Sequence, residues 1–305
     1  MKIIVTGATG LVGSALVPKL LAEGHVITRL VRQSTQNATA SNNVTDVLWD
    51  PDKGTIEAGA LERHDAAVHL AGENVAERWT DEKKRRIRDS RVKGTQLIAE
   101  TLARLERKPK ALISASAIGF YGSHRGAEAL TEESVPVKDF LSEVCREWEG
   151  ATEPARRGGI RVVNLRIGIV LSDEGGALAK MLTPFKMGVG GKVGSGEQYM
   201  SWVALDDVVT IIQHALKDEK LSGPVNAVAP RPVTNNEFTE TLGKVLGRPT
   251  IFPMPSFAVK LLFGEMGETL LLSSERVEPA RLQSTTDFKF TYPELEGALR
   301  HALGK

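Results

Sequence analysis

Two serines and a tyrosine crowd into "SASAIGFYG", residues 114–122, straight after the apolar run "KALI". At the end of a buried strand, a serine hydroxyl can hold a substrate oxygen and a tyrosine can give or take a proton. The same hydroxyls also occur as ordinary strand-end packing. Ser114 and Ser116 lie two residues apart on the same strand face. Tyr121 is the candidate proton donor, with Arg125 as a cation four residues on. Tyr199 is a second tyrosine candidate, and Asp139 or Glu149 could serve as an acid. A free tyrosine titrates near 10 and each pKa unit is worth about 1.4 kcal/mol, so neutrality needs about 4 kcal/mol of electrostatic help.

Chemistry of this kind needs a scaffold, and the first 33 residues describe one. Lys2 to Val5 read as a short buried strand rich in β-branched residues. Thr6 and the turn Gly7-Ala8-Thr9-Gly10-Leu11-Val12-Gly13 follow. Leu11, Ala15, Leu16, Leu20 and Leu21 then keep helical spacing, and Gly24 sits where a helix-ending glycine belongs. "HVITRLV" is a second strand. Glycines between a strand and a helix, with a strand next, form a phosphate cradle. Gly7 allows the tight turn, Gly10 the close approach of a pyrophosphate, and Gly13 the packing of helix on sheet. The helix N-terminus then offers free N–H groups to the anion.

The end of the second strand, "LVRQ", selects among dinucleotides. An acid there would bind a ribose 2′-hydroxyl, whereas Val31 is followed by Arg32, whose guanidinium can fork onto a 2′-phosphate. The cofactor expected is therefore NADP(H). "DAAVHLAGENV" is another strand with a small-residue exit, and Leu70-Ala71-Gly72 would lie along the ligand. Thr80 caps a long helical stretch whose basic residues interleave with acids, as on a solvated face. Arg91 is the exception, with Arg86 five residues earlier able to reach the same phosphates.

Strands and helices alternate through this half, which gives an α/β fold: a Rossmann-type doubly wound parallel sheet with a smaller, mainly helical C-terminal lobe. Residues 1–170 are read as the NADP(H)-binding domain, with 206–228 returning to the sheet, and 171–305 as the substrate lobe. Cys145 falls on the apolar stripe Phe140, Leu141, Val144, Cys145, Trp148 and reads as core. The stretch from Gly175 to Trp202 is glycine-rich and reads as a loop that can close on a ligand. Thr234-Asn235-Asn236-Glu237 has capping-box form at the head of a helix reaching Leu246.

Composition excludes other classes. A single cysteine permits no intrachain disulfide and no thiolate metal cage, and the six histidines show no ligand spacing. A net charge of +1 gives no global affinity for nucleic acid or membrane. No apolar run approaches a membrane span, and the first apolar run is too short for a secretory leader. A cytoplasmic location is expected. "GSG" lacks the setting of a hydrolase nucleophile.

In order along the chain, "TGATGLVG", "HLAGENV", "SASAIGFYG", "LRIGIVLS", "PFKMGVGGKVGSGEQYMSWVALDD", "GPVNAVAP" and "LGRP" resemble the epimerase-like atypical branch of the extended short-chain dehydrogenases. The resemblance covers nearly all of the chain. It implies an NADP(H) site that includes Val170, a substrate cleft between two lobes, and homodimers of the kind common among extended relatives. It also implies a Ser, a Tyr and a Lys as catalytic groups. Ser116 matches the first. The downstream place of the Tyr holds Phe140 or Leu141, and that of the Lys holds Val144 or Cys145. In place of the family's Asn, Arg91 stands before "VKGT". Two functions compete on these residues: an NADP(H)-dependent oxidoreductase or epimerase with a small-molecule substrate, and a non-catalytic NADP(H)-binding sensor.

Overall fold

A computed structural model describes residues 1–32, 43–284 and 286–305. Gln33, which closes the "LVRQ" stretch, lies outside the described residues. The first half of the described chain runs β1 (Lys2–Thr6), α1 (Leu11–Ala22), β2 (Val26–Val31), β3 (Val44–Asp50), β4 (Thr55–Ile56), β5 (Ala66–His69), α2 (Asp81–Arg104), β6 (Ala111–Ala117) and β7 (His124–Leu130). It continues with α3 (Phe140–Gly150), α4 (Glu153–Arg157), β8 (Arg161–Ile167) and β9 (Ile169–Leu171). Next come α5 (Gly176–Lys186), β10 (Tyr199–Met200), β11 (Trp202–Ala204), α6 (Leu205–Lys217), β12 (Gly223–Ala227) and β13 (Val233–Thr234). The chain ends with α7 (Asn235–Leu246), α8 (Ser256–Leu271), β14 (Ser274–Val277), α9 (Ala280–Ser284) and α10 (Leu295–Ala302).

Eight strands share one sheet in the order β12-β8-β6-β5-β1-β2-β3-β4, parallel except for the short β4. The order reverses direction between β1 and β5, which is where a doubly wound sheet opens a crevice at its carboxyl edge. Alternating strand residues feed two cores. Ile3, Val5, Ile113 and Leu165 pack under α1 and α6 with Leu16, Leu20, Ile211 and Ile212. Ile4, Ala67, Leu112 and Val162 pack on the opposite face with Ile98 and Leu102 of α2. A third core joins Leu178 and Phe185 of α5, Phe238 and Leu242 of α7, and Leu299 of α10.

One expectation is corrected here. Part of the glycine-rich stretch read as a loop is helix α5, because Leu178, Leu182 and Phe185 recur at helical spacing and all three are buried. Gly175 and Gly176 form its entrance, not a flexible segment, and both lie against the Leu11 side chain. Among the described residues no helix is long and apolar enough to cross a membrane.

Candidate functional site

The cradle at the end of β1 is built on close approach. Gly7 has φ +67°, and a Cβ there would lie 2.7 Å from the Leu70 carbonyl carbon. A Cβ on Gly13 would lie 2.2 Å from the Gly7 oxygen. Gly10, at the α1 N-terminus, has no side chain to cap the helix, and the first turn carries no acid. The N–H groups after Gly10, those of Leu11 and Val12 among them, are left to an anion. Thr6 locks the neighbouring turn in place. Its Oγ1 accepts from Leu70 N at 3.1 Å and Ala71 N at 3.2 Å and shares a hydrogen bond with His69 Nδ1 at 2.8 Å. Thr9 and Gly10 are exposed at the mouth, while Leu11 and Val12 are half-buried. These features fit a dinucleotide pyrophosphate.

Other residues expected at the ligand lie at the end of β2, in β9 and in α2. Val31 ends β2, and Arg32 follows it with an exposed side chain. Val170 in β9 packs against the core beneath α1. Arg91 lies on Gly72, where a Cβ would come 3.4 Å from its guanidinium carbon. The guanidinium is 5.0 Å from the Trp148 ring centroid, and among the described residues its hydrogen bond is to the Ile87 carbonyl at 3.0 Å. Burial holds its pKa below the usual arginine range. Arg86 is not available in the same way: its guanidinium is bound by Glu73, which also takes Lys83.

The hydroxyls of the opening motif turn inward. Ser116 is 3% exposed and its Oγ donates to Glu149 Oε1 at 2.8 Å. Arg166 of β8 forks onto the same carboxylate through Nε at 2.8 Å and Nη2 at 3.0 Å. Its remaining Nη1 donates to the Tyr121 hydroxyl at 3.0 Å, and Tyr121 donates in turn to Asn226 Oδ1 at 2.6 Å. Asn226 completes the chain by donating from its backbone to Glu132 Oε1 at 3.0 Å. The expectation of Tyr121 as proton donor is therefore corrected. The residue is wholly buried, burial pushes its pKa up to about 12 despite Arg166, and its hydroxyl has both partners inside the protein.

The remaining candidates have neighbours of their own. Asp139 caps α3, accepting from Ser142 N at 2.8 Å, and its other oxygen accepts from the Ser123 backbone and hydroxyl. Tyr199 lies beneath the Arg276 guanidinium. Cys145 is buried in the helix, and burial pushes its thiol up to about 12, as expected for a core residue. Phe140, Leu141 and Val144 pack with Trp79, Ile87 and Met266 in an apolar cluster. Arg166, Glu132 and Asn226 are unmarked in the sequence reading. The signal for Arg166 was present: an arginine inside the buried strand "RVVNLRI" needs a buried partner.

A strand-order reversal, a glycine cradle at β1 and a small-residue turn at β5 define a dinucleotide-binding protein of the extended dehydrogenase type. The chain belongs to the NAD dependent epimerase/dehydratase family, whose model matches residues 3–227. A domain of unknown function matches residues 254–302. An epimerase family protein of Mycobacterium tuberculosis is 39% identical over 98% of this chain and 97% of its own length. The human epimerase family protein SDR39U1 is 35% identical over 98% of this chain and 99% of its own. A crystal structure of the human protein with NADPH is similar at a TM-score of 0.87 and 33% identity, covering 100% of this chain and 99% of that one. A UDP-glucose 4-epimerase from Thermotoga maritima, solved with UDP-glucose, shares the fold at a TM-score of 0.76 and 20% identity.

Proposed function

We propose that this protein binds NADP(H) and acts as an oxidoreductase or epimerase on a small carbonyl or sugar-nucleotide-like substrate. The observation that carries the reading is the cradle: a Cβ at Gly7 or Gly13 would meet backbone at 2.7 and 2.2 Å, around an α1 N-terminus that no side chain caps. The NADPH in the human relative's crystal structure supports the same reading. When bound, the cofactor supplies or accepts a hydride. The residues here do the rest. Gly7 to Gly13 hold the pyrophosphate, Arg32 takes the 2′-phosphate, and Leu70 to Gly72 line the ligand with backbone. Arg91 offers a half-buried guanidinium toward the same space. Ser116 orients Glu149 at the end of β6.

Calorimetric titration with NADPH and NADH tests this. NADPH is expected to bind much more tightly than NADH, and Arg32→Ala to remove most of that preference. Equal affinity for both would overturn the 2′-phosphate role, and absence of binding would overturn the function.

A second reading has an observation of its own. The α3 positions of the family's Tyr and Lys hold apolar side chains and a buried thiol. On that ground the protein is a sensor that binds NADP(H) reversibly. Turnover with aldehyde, ketone or sugar-nucleotide panels would exclude it.

A further inference from the structure

Large apolar side chains on the surface of this protein gather in two segments. Met187 and Val189 follow α5, and Ile251, Phe252, Phe257, Leu261 and Leu262 precede and open α8. Ile251, Phe257 and Leu261 are 73%, 73% and 75% exposed, so these side chains stand out from the surface rather than lining a crevice. Backbone contacts make neighbours of the two segments. Gly191 bridges Ile251 in antiparallel fashion, and Met254 N donates to the Lys192 carbonyl at 2.8 Å. A Cβ on Gly188 would lie 3.8 Å from Pro249 Cγ. A contiguous apolar face of this kind marks an interaction site.

Helix α8 is built in two parts. Gly264, at φ +60° and ψ −145°, a conformation that favours glycine, breaks it. Beyond the break Met266 and Leu270 pack with Trp79 and Val144, and Glu265 pairs with Lys84 of α2. Before the break Val259 is buried, Phe257, Leu261 and Leu262 are exposed, and Lys260 is the one charge. A stretch of helix that is apolar on its outer side as well as its inner side needs apolar surroundings on both. Charge says what those surroundings are. Residues 183–195 and 247–262 contain Lys186, Lys192, Arg248 and Lys260, all exposed, and no acid. Lys260 reaches Glu268 at 2.7 Å, and among the described residues the other three have no ion pair. The net charge of +1 hides this local segregation of sign. A second copy seated here by a two-fold axis would set the cations against themselves, with no acid in either segment to meet them. An anionic bilayer meets both requirements: its acyl boundary takes the apolar side chains, and its headgroups take the cations around them.

We propose that the face formed by residues 186–192, 248–252 and the first half of α8 docks on an anionic phospholipid surface, with the protein lying on the bilayer and not crossing it. Phe257, Leu261 and Leu262 enter the acyl boundary, with Ile251 and Phe252 beside them. Lys186, Lys192 and Arg248 stay at the level of the phosphates, where long cationic side chains keep their heads in water. The attachment is reversible and needs both parts, because neither a few apolar side chains nor a few cations hold a protein on a membrane alone. It does not depend on the NADP(H) reading above.

The test is sedimentation of the full chain with phosphatidylcholine vesicles, with and without phosphatidylglycerol. Binding to the mixed vesicles is expected to be about tenfold or more tighter than to phosphatidylcholine alone, and to weaken steeply as salt rises. The double variant Phe257→Ser, Leu261→Ser should lose about tenfold or more in binding to the mixed vesicles. Its melting temperature should hold, because both side chains are already exposed. Lys186→Glu with Lys192→Glu should remove most of the difference between the two kinds of vesicle. No sedimentation with the mixed vesicles, or binding that both double variants retain in full, would overturn the proposal. A dimer in sedimentation velocity that Phe257→Ser, Leu261→Ser dissolves would also overturn it, and would give the face to a second copy.

Discussion

Arg166 and Glu149 meet in a two-bond fork, at 2.8 and 3.0 Å, that ties β8 to α3 beneath the candidate site. Their side chains are 4% and 13% exposed, so neither charge has much water to fall back on. Removing one partner of such a pair is far more damaging than removing both. Glu149→Leu is expected to lower stability by about 3–5 kcal/mol. The double variant Glu149→Leu, Arg166→Met should recover much of that loss. Urea unfolding of the three proteins gives the comparison; equal losses in the single and double variants would mean that the fork adds little.

Gly13→Ala tests the cradle. Its Cβ would meet the Gly7 oxygen at 2.2 Å and the Ala8 Cα at 2.8 Å, both backbone, so the turn must open. Overpacking of this kind costs about 1–3 kcal/mol. NADPH affinity is expected to fall at least tenfold, because the displaced atoms are those that line the pyrophosphate. Unchanged affinity by calorimetry would show that the anion does not sit there.

Arg91→Leu separates binding from stability. The guanidinium is half-buried, has no ion pair among the described residues and makes one hydrogen bond, to the Ile87 carbonyl. Replacing it with an apolar group relieves that burial, so the melting temperature should hold or rise. NADPH affinity should fall several-fold. A clear drop in melting temperature with unchanged affinity would make Arg91 a packing residue on Trp148.

His69 gives the protein a defined acid sensitivity. It is wholly buried, and burial lowers its pKa from 6.5 to about 4. Nδ1 lies 2.8 Å from Thr6 Oγ1, and among the described residues Nε2 has no hydrogen-bond partner. The unfolded chain takes up a proton below about 6.5 and the folded chain does not until about 4. Stability from this residue is therefore complete above pH 6.5 and is lost as pH falls toward 4, by roughly 3 kcal/mol in all. His69→Asn should flatten the unfolding free energy across that window. An unchanged slope would mean that the ring is solvated or paired in solution.

Local patterns were legible in the sequence because they close within a few residues. Thr80 accepts from Lys83 N, and Thr234 and Glu237 form the reciprocal cap, both at the expected places. Gly7 to Gly10 lie between β1 and α1, and Gly13 falls in the first turn of α1, as their spacing requires. The inward fate of Ser116 and Tyr121 was hidden, because it depends on Arg166 and Asn226, the latter 105 residues from Tyr121. Gly175 and Gly176 misled for a related reason: a pair of glycines reads as loop unless the burial of Leu178, Leu182 and Phe185 is weighed beside it.

The pairing of β14 with β7 also orders events during synthesis. Ser274 Oγ donates to the Gly126 carbonyl, 148 residues earlier in the chain. Chains emerge from the ribosome N-terminus first, and contacts across long separations form late. The sheet edge at β12 is complete before Ser274 has been translated. Until then Ile118, Leu130 and Val228 wait without Val277. A ribosome stalled before β14 would thus display a nascent chain with its glycine cradle already translated and Val277 still missing from the cluster of Ile118, Tyr121 and Leu130.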